Sequence, residues 1–124
     1  MNIPSDLLYT KDHEWIKIEN GIATVGITDY AQGELGDIIF IELPEIGDSV
    51  QAEDSIGTIE AVKTVADIYS PMNGEILEVN LNLESNPDSI NTDPYGSGWI
   101  IKLNNFTNND DNYLTPDQYK SLIQ

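Results

Sequence analysis

Short runs that alternate apolar and polar residues, each stopped by a turn signal, set the strongest limit on how this chain can fold. EWIKIENGIATVGI reads as two strands joined at Asn20-Gly21, a pair suited to the left-handed backbone of a tight hairpin. DIIFIEL follows as a strand apolar on both faces, and PEIGDSV is a turn. Residues 55–62 and 65–69 are again extended, and Pro71, Asn73 and Gly74 turn the chain into EILEV. WIIKL is a further strand. Seventeen isoleucines among 124 residues reinforce this bias, since β-branched side chains suit a pleated, half-buried surface.

Helices are short and marginal in this reading. TDYAQGELG offers Thr28 or Asp29 as an N-cap and Gly36 as a stop, with Gly33 weakening the middle. One helical turn fits before Pro87. LTPDQYKSLI fits a terminal helix capped by Thr115 with Pro116 at its first position. The pattern predicts a mostly β sandwich or barrel with small helices at its margins. It forms one domain over 1–124, with a core over about 9–104, a polar spacer at 105–113 and a C-terminal helix in 114–124. IGDSV and MNGEIL, 26 positions apart, are similar turn-then-strand units and suggest two related halves.

Charge and composition exclude several chemistries. Twenty-two Asp and Glu face only five cations, all Lys, for a formal charge of −17. Such a chain repels nucleic-acid phosphates and anionic membranes, and is expected to stay monomeric and to meet proteins with basic faces. Cysteine is absent, which removes disulfides, thiolate nucleophiles and zinc ribbons. A single His, His13, excludes sites with two His ligands. With no leader-like segment and no apolar run of spanning length, the expected location is the cytoplasm.

Lys63 stands out by position. From residue 18 to 101 it is the sole cation, amid 16 carboxylates. Ala61 and Val62 precede it and Val65 and Ala66 follow, so it is expected at the tip of a hairpin, its amine open to another enzyme. By itself a lone Lys reads as an ordinary solvated side chain. Its neighbours alter that reading.

GTIEAVKTVADIYSPMNGEI resembles the lipoyl-lysine segment of the glycine cleavage H-protein family. YTKDHEWIKI, VGITDYAQGELGDIIFIELPEIGD, NTDPYGSGWIIKL and the terminal YKSLI follow in that family's order and spacing, from about Tyr9 to Leu122. The resemblance implies a lipoyl/biotinyl-carrier-like sandwich, the barrel-sandwich hybrid, and a non-catalytic carrier with lipoic acid in amide linkage to Lys63. It also implies the partners: glycine decarboxylase, aminomethyltransferase, dihydrolipoyl dehydrogenase and a lipoate-attaching enzyme. Glu60 and Gly74 match positions that lipoylating enzymes recognise. Glu14 of the DHEW segment and Asp67 are implied to line the cleft that receives the aminomethyl-loaded arm, where carboxylates suit a cationic amine. Asp12, standing where the family often has a smaller hydroxyl residue, and His13 are further candidates. Ala61 replaces the family's more frequent Ser.

Structural roles compete at each position. His13 reads first as a hydrogen-bonded structural residue, Trp15 and Trp99 as core anchors, and Asp29 and Asp67 as a cap and a turn residue. Among functions, 2-oxoacid dehydrogenase lipoyl domains and biotin carriers have other residues around their lysine and lack the HEW and GITDYAQ segments. A lipoyl donor relaying the group to other complexes would retain Lys63 as well. A hydrolase built on paired acids is the remaining class, and acid pairs are cheap in so acidic a chain.

Overall fold

The computed structural model describes residues 1–107 and 113–124; the rest of the expected spacer, 108–112, lies outside the described residues. The described residues form nine strands: β1 (Leu8–Tyr9), β2 (Glu14–Glu19), β3 (Ile22–Ile27), β4 (Ile38–Glu42), β5 (Ser49–Val50), β6 (Ser55–Ala61), β7 (Val65–Tyr69), β8 (Gly74–Val79) and β9 (Ile101–Asn104). They make two antiparallel sheets, β1-β2-β3-β9-β8-β5 and β4-β6-β7. The sheets stay separate, so the fold is a sandwich and not a closed barrel. Among the described residues, four helices sit at its edges: α1 (Asp29–Leu35), α2 (Asn82–Ser85), α3 (Ser89–Thr92) and α4 (Pro116–Ile123). No described helix is long and apolar enough to cross a membrane.

Local chemistry explains most of these elements. Asn20 and Gly21 take φ of 52° and 77°, which turns β2 into β3 in the expected register, Glu19 opposite Ile22. Thr28 caps α1 by accepting the Ala31 N–H, so Thr28 and not Asp29 is the cap. Thr115 caps α4 in a full capping box with Gln118, Pro116 following it. The two similar turn units pair with each other: the Gly47 N–H donates to the Ile76 carbonyl at 2.8 Å, and β5 runs beside β8.

The main core fills the space between the sheets. Ile16, Val25, Ile76, Ile101 and Leu103 of the large sheet meet Ile38, Ile41, Ile59 and Ile68 of the small one. A second cluster covers the other face of the β1 end, where Leu7, Tyr9 and Trp15 pack with Tyr119 of α4. Trp15 is the expected anchor: its indole donates to the Pro94 carbonyl at 3.0 Å and lies over Gly26, where a Cβ would come within 2.6 Å of Nε1. Trp99 is only half-buried, packed against this second cluster with the Lys102 amine 4.9 Å from its ring centre.

Candidate functional site

β6 and β7 meet in the hairpin expected around Lys63. Glu60 pairs with Val65, the Ala61 N–H donates to the Thr64 carbonyl at 2.8 Å, and Val62 and Lys63 make the turn. The Val62 N–H donates to the Asp37 carbonyl at 3.0 Å, which pins this turn to the chain entering β4. Among the described residues no carboxylate holds the exposed Lys63 amine; the ion pairs are Lys17 with Glu19 and Lys102 with Glu78.

The stem of Lys63 lies on Gly36, the residue that ends α1. A Cβ on Gly36 would fall 2.8 Å from Lys63 Cε, and Gly36 has φ 80° and ψ −157°, a conformation open essentially to glycine alone. Leu35, one residue before it, lines a cleft of about 320 Å³. Several chain segments build that cleft, Ile27 of β3 among them. Asp12 and His13 come from the turn before β2, Tyr30, Ala31, Glu34 and Leu35 from α1, and Ile59, Ala66 and Asp67 from the small sheet.

Asp12, His13 and Asp67 are thus gathered beside the lysine hairpin as the sequence suggested. Asp67 is not a turn residue; it sits inside β7, across from Thr58, whose hydroxyl donates to it over 3.5 Å. Glu34 and Tyr30 were not singled out from the sequence. Their four-residue spacing on α1, which places both on one helix face, was the available signal.

Glu14 lies apart from that cleft. Its side chain is 3% exposed and borders a second hollow, lined also by Thr10, Lys11, Glu53 and Tyr113. The Tyr69 N–H and the Thr10 hydroxyl each donate to it, at 3.1 Å. Burial nevertheless pushes its pKa up to about 8, so near neutrality it is largely a neutral acid. Asp12 lines the first cleft and Glu53 the second; burial and the neighbouring Asp12 hold the Glu53 carboxyl above the usual range.

His13 adopts the structural role set against its candidacy, while also lining the cleft. It sits at φ 66°, with Nδ1 2.9 Å from the Tyr119 hydroxyl and its ring 5.0 Å from that of Tyr30. The same hydroxyl lies 2.7 Å from Thr28 Oγ1, so α4, the α1 cap and His13 share one hydrogen-bonded chain. Burial lowers the His13 pKa and favours neutral imidazole.

The two positions that the resemblance links to lipoylation fall on different sheets. Glu60 is exposed on β6, three residues before the lysine. Gly74 opens β8 in the large sheet, where a Cβ would meet the Asn104 carbonyl at 3.1 Å and Phe106 Cβ at 3.2 Å. Its lack of a side chain serves packing at that point.

The chain matches the family model described as glycine cleavage H-protein over residues 7–124. It is 54% identical to a glycine cleavage system H protein of Rubrobacter xylanophilus, covering 98% of this chain and 95% of that one. A probable glycine cleavage system H protein of Thermoplasma volcanium is 52% identical, with coverage of 99% and 98%. The crystal structure of a glycine cleavage system H protein from Mycobacterium marinum superposes with a TM-score of 0.88 at 41% identity, covering 96% of this chain and 97% of that one. With the match running through both sheets, the lysine hairpin and the terminal helix, the chain belongs to the glycine cleavage H-protein family.

Proposed function

We propose that the protein is the lipoyl carrier of glycine cleavage, a cytoplasmic monomer with lipoic acid joined as an amide to Lys63. The observation that carries this reading is the hairpin itself: an exposed amine, held by no carboxylate among the described residues, on a pinned turn, its stem laid over Gly36 beside an open cleft. These features fit the group, because an amide-linked arm needs a reachable amine, an unobstructed stem and a hollow within range. A lipoyl arm bound there would supply the sulfur chemistry that this Cys-free chain lacks: a disulfide able to take up the aminomethyl group of glycine with glycine decarboxylase as carbon dioxide leaves, to give the one-carbon unit to tetrahydrofolate with aminomethyltransferase as ammonia is freed, and, left as a dithiol, to be reoxidised with dihydrolipoyl dehydrogenase.

The chain contributes no catalytic group of its own. Asp12 and Asp67, with Glu34, give the cleft negative charge suited to a cationic amine. Tyr30, Ala31, Leu35 and Ile59 supply an apolar wall that keeps water from it. Glu14 acts one step removed, by fixing Tyr69 of β7 through its backbone N–H and so setting the edge that carries Asp67. Glu60 and Gly74 serve the lipoate-attaching enzyme, the first as a contact beside Lys63 and the second by preserving the sheet packing.

The test is decarboxylation of glycine by glycine decarboxylase supplied with the purified, lipoylated protein. Stimulation by the wild type and none by Lys63→Ala is the expected result. No stimulation by the lipoylated wild type would overturn the reading.

A further inference from the structure

The outer face of the small sheet carries apolar side chains that the fold leaves uncovered. Phe40 of β4, Glu60 of β6 and Val65 of β7 stand in one cross-strand row, and Val62 follows in the turn beside Lys63. Phe40 is 51% exposed, Val65 60% and Val62 71%. Glu42 and Asp67 share this face in the next row, on either side of Thr58. No lysine lies in β4, β6 or β7, and the chain has no Arg, so these three strands carry no cation and Lys63 stands in the turn that joins two of them. Apolar side chains set among carboxylates around one amine match a partner with an apolar centre and a basic rim.

Reach decides which partner that is. An enzyme acting on the end of a long arm can engage it at a distance from the hairpin. The enzyme that makes the amide must bring its own reacting carbon to the Lys63 amine, and so is forced against the residues flanking it. A second copy of this chain would bring acid against acid across the same face.

Resting on the carrier reading, we infer that the Phe40–Glu60–Val65 row is the docking face for the lipoate-attaching enzyme, with Phe40 and Val65 as its apolar anchors. The test is steady-state lipoylation of the apo-protein by a purified lipoate–protein ligase with ATP and lipoate saturating, followed by intact mass. Phe40→Ser and Val65→Thr, both at exposed positions, are each expected to raise KM for the protein about tenfold with kcat changed less than about twofold. Glu42→Lys is expected to raise KM at low salt and to lose that effect at high salt. Ile46→Ser, 63% exposed in the loop between β4 and β5, serves as the control and leaves KM unchanged.

KM unchanged in both anchor variants overturns the inference, as does an equal rise in Ile46→Ser. So does a wild type that sediments as a dimer and dissociates in Phe40→Ser, or an effect of Phe40→Ser seen only with glycine decarboxylase. A wild type that no ligase modifies would overturn the carrier reading itself. Normal wild-type lipoylation with indifferent variants removes the docking face alone.

Discussion

Lys63 Cε rests against Gly36, 2.8 Å from where a Cβ on that glycine would stand, so the end of α1 is shaped around the stem of the lysine. Two constraints meet at Gly36: the space belongs to Lys63, and the backbone lies in a region closed to side chains. Gly36→Ala is expected to cost about 1–3 kcal/mol in urea unfolding and to displace the Lys63 stem. A variant as stable as the wild type would contradict the account of this backbone conformation.

Glu14 gives a prediction with a definite sign. Its carboxyl is raised to about 8 in the folded chain from an ordinary value of 4.5, burial being the cause. The native state therefore keeps a proton that the unfolded chain releases first, and the stabilisation, full below pH 4.5, is lost as pH rises through 8. His13, lowered by burial, contributes in the opposite sense, its stability present above its ordinary value of 6.5 and lost on acidification. Comparison with Glu14→Gln cancels the His13 effect. From pH 5 to pH 8 the wild type should lose roughly 2–4 kcal/mol relative to this variant, read from urea midpoints. A constant difference between the two would remove the buried acid from the account.

Tyr119 ties the terminal helix to the cleft. Its hydroxyl meets Thr28 Oγ1 at 2.7 Å and His13 Nδ1 at 2.9 Å, and its ring stacks on Tyr9 with centres 4.8 Å apart. Tyr119→Phe keeps the stack and removes both hydrogen bonds, for an expected loss of about 1–3 kcal/mol. The phenol itself is pushed up to about 12, chiefly by burial. Its absorbance should stay that of the neutral form at pH 10; ionisation near pH 10 would show that the phenol is not buried as described.

Local chemistry made much of the fold readable in advance. Asn20-Gly21, the Thr28 cap and the Thr115-Pro116 start act within a few residues, and each gave the element it predicted. Long-range pairing was harder to read. Nothing local places β9 between β3 and β8, and α3 has no side-chain cap to announce it. The site divides in the same way. The hairpin around Lys63 was legible because it is local, whereas the separation of Glu14 from Asp67 depends on how the turn before β2 packs against β7. The β4 run, apolar in sequence on both faces, leaves Phe40 exposed, with an irregularity between Ile38 and Phe40 that sequence periodicity does not show.

The cleft acids should matter only once the arm is loaded. Asp12→Asn with Asp67→Asn is expected to leave lipoylation unchanged and to speed release of ammonia from the aminomethyl-loaded protein about tenfold. Ammonia release at the wild-type rate would take both residues out of that role.

The central claim is that Lys63 is the single point of attachment, and intact mass after incubation with lipoate, ATP and a lipoate–protein ligase tests it most directly. The wild type should gain the mass of one lipoyl group and Lys63→Arg none, although four other lysines remain. A lipoyl group on Lys63→Arg, or an unmodified wild type, would contradict it.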